Sequence, residues 1–540
     1  MIQDHPLDRD LYLYNHESLD TLSIQEALSG PEADSWREAM DSEYQSLMDN
    51  GTWRLVPPPT DRKLVSCKWL LRKKFNADGS ISRYKARLVA RGFSQVPGMD
   101  FNETFSPVLR ITSFRALLAT AAQFGLIVHQ MDVRTAFLHG DLQEEIYMEQ
   151  PPGYISRDHP HYVCKLVKSL YGLKQSPRQW YERFTTCMSN LGYTRFQSDP
   201  NVYSRHGPNV ILLLAIYVDD ILILCNSNDV LLNAKRELHA SFSMQDMGAL
   251  HYCLGIQVFQ DSSHGLIRIS QQTYVESLLK KYNMSTCKGI STPLPISLKT
   301  KTSSTTMPTT SDIVAFPYAN ILGGIRYLVT CTRPDICFAA NFLSRYMQAP
   351  SPIHTQHLKR LLRYLQETKD FGITYSASQP LPKPYLTCYS DADWGGDETT
   401  LQSTSGYVYL LSSGAISWQS KKQERVTLSS TEAEYVAMTL ALKEGIWLKD
   451  FLKETTLFPD HPLLLRCDNM SAIMLAKNLK HSELTKHIAM KLQFTRELLH
   501  EGNIEIVHVR TDEQWADFLT KSTQKAKHHE SCNQIGLKSN

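Results

Sequence analysis

The sequence predicts a large α+β unit followed by a smaller α/β unit. Three observations lead there. Two apolar runs, Ile211 to Leu224, flank a pair of adjacent carboxylates. Beyond residue 385 a strand, strand, strand, helix, strand succession carries acids at the ends of its elements. The chain has 540 residues, 42% hydrophobic and 21% charged, which is ordinary composition with material for several cores.

The apolar pair is Ile211-Leu212-Leu213-Leu214-Ala215-Ile216, then Tyr217-Val218-Asp219-Asp220, then Ile221-Leu222-Ile223-Leu224. It does not suit a membrane. It falls short of the roughly 18 apolar residues a span needs, and each central acid would cost about 2.5–3.5 kcal/mol. As two buried strands joined by a short turn it works, because the aliphatic arms sit on a sheet and the acids stay at its rim. Two carboxylates about 4 Å apart repel by about 4 kcal/mol at an effective dielectric near 20, so a hard divalent cation, Mg²⁺ or Mn²⁺, suits them. Tyr-Val-Asp-Asp between apolar strands resembles the catalytic hairpin of reverse transcriptases.

Net charge is only +2, so a nucleic-acid partner has to be held by local basic patches. The eleven cysteines form no C-x-x-C pair, which argues against a zinc ribbon and for reduced thiols inside the cell. The first thirty residues lack the basic and apolar regions of a signal peptide. The expectation is an intracellular protein, in a cytoplasmic particle or the nucleus, with no membrane partner.

Taken in order, residues 1 to 31 are polar and read as loosely ordered, with a capping box at Ser23-Ile24-Gln25-Glu26. Trp36, Met40, Tyr44 and Leu47 recur at helical spacing, and Asn50-Gly51 stops the helix. Arg62 to Phe75 and Ile81 to Phe93 read as a hairpin around Asn76-Ala77-Asp78-Gly79, with ten Lys and Arg side chains against the single acid Asp78. Such a hairpin could neutralise a triphosphate and a template backbone, and Lys85 and Arg87 are its chosen triphosphate contacts. A helix over Ser113 to Phe124 precedes a short strand that ends at Asp132, a third carboxylate beside the hairpin pair.

Gln130 to Gly140, Tyr147-Met148-Glu149-Gln150-Pro151-Pro152-Gly153-Tyr154 and Lys168-Ser169-Leu170-Tyr171-Gly172-Leu173-Lys174-Gln175-Ser176-Pro177-Arg178-Gln179-Trp180 together resemble the copia-type (Pseudoviridae) retrotransposon Pol polyprotein, over about Trp36 to Lys521. The resemblance implies an α+β right-hand polymerase (palm, fingers, thumb). It makes Phe137 similar to the aromatic gate that excludes a ribonucleotide's 2′-hydroxyl, and Tyr171 and Gly172 similar to the loop lining the nucleotide. Asp246 to Ile256 resembles the primer-grip region.

Val230, Ala234, Leu238 and Phe242 give an i, i+4 stripe that backs the hairpin. Val275, Leu278, Leu279 and Tyr282 mark a thumb helix, and the polar run from Leu298 to Asp312 reads as a linker. Leu358, Leu361, Leu362 and Leu365 form an amphipathic helix on which His354 and His357 are expected to face solvent or phosphate.

The last unit places Asp391 at a strand end, Glu432 in the first turn of a long helix, Asp468 after a second strand and Asp517 on a closing helix. With Ser403-Thr404-Ser405-Gly406 and Thr485-Lys486-His487-Ile488 between them, this order resembles ribonuclease H, an α/β domain whose carboxylates hold two Mg²⁺ ions. Ala489 departs from the copia pattern, which usually has an acid there. After Lys521 the chain reads as a polar, disordered end.

The expected domains are 1–52, a lead and packing helix; 53–295, fingers, palm and thumb; 296–384, linker and connection; 385–522, ribonuclease H-like; and 523–540, a tail. The expected function is RNA-directed DNA polymerisation with ribonuclease H activity, with metal at Asp132, Asp219, Asp220, Asp391, Glu432, Asp468 and Asp517. Its partners are RNA and DNA template-primer, RNA–DNA hybrid and deoxynucleoside triphosphates. Two readings compete: a catalytically silent nucleic-acid-binding remnant of a decayed copia element, and a DDE-type integrase, which leaves Tyr217 to Asp220 unexplained.

Overall fold

The computed structural model describes residues 23–75, 81–298, 316–478 and 489–539. The turn at 76–79, the polar run after 298 and the motif at 485–488 lie outside the described residues. At the N-terminal end the Ser23 hydroxyl accepts from the Glu26 amide, and the Glu26 carboxylate returns to the Ser23 amide, so the expected capping box closes. The helix Ala33–Asp49 buries Trp36, Met40 and Leu47, and Gly51 at φ +61° turns the chain out of it.

The basic hairpin pairs Cys67–Phe75 with Ile81–Ala90. Beside it stands a three-stranded sheet ordered Trp53–Val56, Val163–Leu166, Tyr147–Met148. The palm is a six-stranded antiparallel sheet ordered Met244–Ala249, Ile127–Val133, Asp220–Cys225, Val210–Tyr217, Val202–Gly207, Thr194–Arg195. Its two inner strands are buried on both faces, which explains their unbroken aliphatic runs. The helix Asn228–Ser241 covers one face, and the helix Ile111–Phe124, buried along nearly its whole length, covers the other.

The last unit is a mixed sheet ordered Gly414–Lys422, Thr404–Leu411, Thr387–Asp393, Leu463–Cys467, Ile504–His508, antiparallel on one side of Thr387–Asp393 and parallel on the other. The long helix Ser430–Glu454 packs on it. Palm and last unit share one hydrophobic core. Arg115, on the palm helix, donates to the Ile416, Thr330 and Cys331 carbonyls and stacks on Trp418, so three units meet at one guanidinium. Between the two units lie the helices Gln272–Lys281, Tyr318–Cys331, Cys337–Ser344 and Pro352–Glu367, with a core of their own.

Two expectations are corrected. His354 and His357 are buried rather than solvated: His354 closes a capping box with Ser351 and stacks on Tyr346, and burial, with His357 beside it, lowers its pKa to about 4. Among the described residues, the chain after Lys521 is ordered through residue 539. Lys525–Gln534 is a helix, and Leu537–Lys538 adds a strand beside Gly372–Ser376. The polar letters misled because His528 and Cys532, both buried, supply this helix's inner face, and the His528 ring meets the Tyr364 hydroxyl at 3.0 Å.

Two candidate catalytic centres

The first centre is built on the palm. Asp220 pairs with Tyr217 across a turn made of Val218 and Asp219 alone. Val218 adopts φ +57°, an unfavourable conformation for a β-branched residue. Its carbonyl accepts from the Trp180 indole at 2.6 Å, and the Asp219 carbonyl accepts from the Val133 amide at 2.8 Å, so both sides of the turn are pinned. In the next strand Asp132 lies directly opposite Asp220, and residues opposite in an antiparallel pair project from the same face. The Gln130 amide donates to Asp220 at 2.7 Å.

The fingers reach the same place. Arg87 approaches Asp219 at 3.7 Å while its guanidinium stacks 4.7 Å over Tyr171, which packs edge-on against Phe137 at 4.8 Å. Burial raises the Tyr171 pKa; Arg87 opposes this, and the charges of Asp219 and Asp132 add to it, which puts both acids around the ring. Lys85 lies on the same strand face as Arg87, and both cations pull against the burial that raises the carboxyl of Glu43. Gly172, at φ +91°, carries the Tyr171 loop so close to the hairpin that a Cβ would stand 2.1 Å from the Ala90 carbonyl oxygen. The structure therefore brings Asp132, Asp219, Asp220, Arg87, Phe137, Tyr171 and Gly172 together, and Lys85 precedes Arg87 by two residues on the same strand.

The second centre draws on four elements. Asp391, 2% exposed, stands on the central strand Thr387–Asp393. Glu434 comes from the long helix, Asp468 follows the strand Leu463–Cys467, and Asp517 opens a short 3₁₀ turn instead of a closing helix. Burial raises the Glu434 pKa well above the usual range, and Asp391 and Asp468 add to it. Burial likewise raises Asp391, with Lys521 opposing and Asp517 reinforcing. Glu434, Cys467 and Asp468 each offer an atom within 4.8 Å of the others.

Glu432, the sequence candidate, is not in this cluster. Its carboxylate accepts from the Leu428 amide at 2.8 Å, and its own amide donates to the Ser429 hydroxyl, so it caps the helix. Two residues further on, Glu434 has rotated about 200° and points inward. The signal was present: Ser429 to Glu432 has capping-box spacing, whereas Glu434, Ala437, Met438 and Ala441 form the buried i, i+3, i+4, i+7 stripe. Lys521, also missed, makes ion pairs with Asp517 at 2.8 Å and Asp391 at 3.6 Å.

Among the described residues no helix is long and apolar enough to cross a membrane. The sequence family described as Reverse transcriptase (RNA-dependent DNA polymerase) matches residues 50–296. The Retrovirus-related Pol polyprotein from transposon TNT 1-94 of Nicotiana tabacum is 42% identical over 522 residues, 96% of this chain and 39% of that protein, so the chain spans about two fifths of this relative's length. The Putative transposon Ty5-1 protein YCL074W of Saccharomyces cerevisiae is 36% identical over 58% of this chain and 100% of its own length. Among solved structures, the foamy viral protease-reverse transcriptase dRH in complex with ds DNA is similar at TM-score 0.46 and 12% identity, covering 88% of this chain and 70% of that one. With its ordered Asp132 to Trp180 motifs, the chain belongs to the reverse transcriptase region of copia-type retrotransposon Pol polyproteins.

Proposed function

We propose that this chain extends a DNA primer on an RNA or DNA template at the palm, and cleaves the RNA strand of RNA–DNA hybrids at the last domain. The observation that carries the reading is the in-register pairing of Asp132 with Asp220 beside a pinned Asp219, with Arg87 facing them from the fingers. Hard carboxylate oxygens are the donors that Mg²⁺ or Mn²⁺ takes. Asp132 and Asp219, supported by Asp220, fit such ions at the palm, and Asp391, Glu434, Asp468 and Asp517 fit them at the last domain. Burial raises the pKa values of Asp391 and Glu434, and the neighbouring acids add to the rise, which a divalent cation among them would relieve. When bound, two such ions per centre activate the attacking oxygen and steady the leaving group.

The chain's own residues bind and orient. Arg87 and Lys85 neutralise the incoming triphosphate. The Phe137 ring, braced by Tyr171, clashes with a ribose 2′-hydroxyl and so favours deoxynucleotides. Trp180 keeps the strained turn in a single conformation, which fixes where Asp219 presents its oxygens.

The test is Mg²⁺-dependent extension of a DNA primer on poly-rA by the purified chain. Extension that Asp219→Asn abolishes supports the reading. No extension by a folded protein that still binds the hybrid defeats it.

A further inference from the structure

Lys521 sits among the acids of the second centre. It follows Asp517 by four residues, and its amide closes a turn on the Asp517 carbonyl at 3.1 Å, which brings the side chain back over that acid. Its ammonium lies 2.8 Å from Asp517 Oδ1 and 3.6 Å from Asp391 Oδ2. The two carboxylates are almost fully buried, but the Lys521 side chain is 41% exposed, so its stem has a path to solvent. The neighbouring Thr520 hydroxyl donates to the same Asp391 oxygen, and Lys527 approaches the other Asp517 oxygen at 3.7 Å. One short segment thus supplies the positive charge that holds Asp391 and Asp517 on their separate elements.

An ion shared by these two acids needs the same space. Mg²⁺ binds oxygen at about 2.0–2.1 Å, so two oxygens of one ion lie within about 4 Å of each other, and an ammonium 2.8 Å from one acid and 3.6 Å from the other stands in that space. We propose that Lys521 is a positioning residue, an internal counter-cation that keeps Asp391 and Asp517 together in the metal-free protein and must swing outward before a divalent ion can bridge them. The inference rests on reading this centre as a metal site.

The test uses the full chain carrying Asp219→Asn, which silences the palm acids, and follows Mn²⁺ binding by water-proton relaxation together with melting in EDTA and in Mg²⁺. Lys521→Met is expected to tighten Mn²⁺ binding at the second centre at least tenfold, to lower the melting temperature in EDTA, and to enlarge the rise that Mg²⁺ produces. Lys521→Arg, which keeps the charge, is expected to stay near the parent. Lys521→Gln serves in place of Lys521→Met should the latter not fold. A binding curve that loses a site with Asp391→Asn but is unmoved or weakened by the neutral variants overturns this inference alone. A curve indifferent to Asp391→Asn removes the metal reading, and the inference with it.

Discussion

At the palm, three acids come from two adjacent strands and the turn joining one of them to the next, they are half-buried, and the cation facing them, Arg87, arrives from a separate hairpin. In the last domain, four acids come from four elements, Asp391, Glu434 and Asp517 are buried, and the facing cation, Lys521, lies on the same short segment as one of them. The palm can leave its acids together because water and a distant arginine share their charge. The last domain buries three of its acids and has to build its counter-charge in. One centre is open to what the fingers bring, and the other is held assembled from within.

The sharpest way to break this comparison is to separate the two centres. Asp132→Asn or Asp219→Asn is expected to reduce primer extension at least a thousandfold while leaving hybrid cleavage within a factor of two. Asp391→Asn is expected to do the reverse. Steady-state assays of both activities on one preparation check this, and joint loss in either variant would mean that the shared core, not the centres, governs activity.

The next largest effect separates two glutamates in one helix turn. Glu434→Gln is expected to cut hybrid cleavage a hundredfold or more. Glu432→Gln leaves cleavage nearly intact and costs about 1 kcal/mol of stability as a weakened cap. Cleavage rates and urea unfolding of the pair decide it, and the opposite ranking would return Glu432 to the site.

These glutamates also show what the sequence carries. The palm acids are legible because chemistry and fold coincide in one contiguous stretch: aliphatic strands demand a hairpin, and the hairpin leaves Tyr217 to Asp220 at its rim. Asp391 and Asp468 are legible for a similar reason, one near the end of a strand and the other just past the end of its neighbour. Glu434 is harder, because a helix offers two acids in its first turns, and only the buried stripe through Ala437 and Ala441 separates them. Lys521 is not legible at all, since a lysine beside a catalytic-looking acid reads as solvated until its partner Asp391, 130 positions earlier, is placed next to it. The C-terminal helix fails in the same way: polar residues such as His528 become core only against Tyr364 and Phe518.

A smaller effect sharpens the reading of the palm. Phe137 is 6% exposed and braced by Tyr171. Phe137→Val is expected to raise ribonucleotide incorporation relative to deoxynucleotide about tenfold, measured as the ratio of kcat/KM values, while the cavity it leaves in the palm core lowers stability by about 1–3 kcal/mol. Tyr171→Ala, which removes the brace but leaves the ring, should produce a weaker version of the same loss. An unchanged ratio in Phe137→Val would move the gate to another side chain.

The last difference between the centres is their response to acid, because only the last domain continues directly into the helix that buries His528. Burial lowers the His528 pKa to about 4, with Asp335 opposing and with His529 and Arg333 reinforcing the drop. A histidine depressed in this way is neutral when folded and takes up its proton more readily when unfolded. Its contribution is therefore fully present above about pH 6.5 and is lost as pH falls toward 4. Between pH 7 and pH 5 this amounts to about 2 kcal/mol, and His354, lowered to about 4 by burial, adds a similar amount. Urea unfolding at the two pH values should show the decline, and His528→Gln, whose amide can still meet the Tyr364 hydroxyl, should remove about half of it. Hybrid cleavage by the parent should then fail on mild acidification before primer extension does. If both fail together, the helix that carries His528 supports the whole molecule rather than the second centre alone.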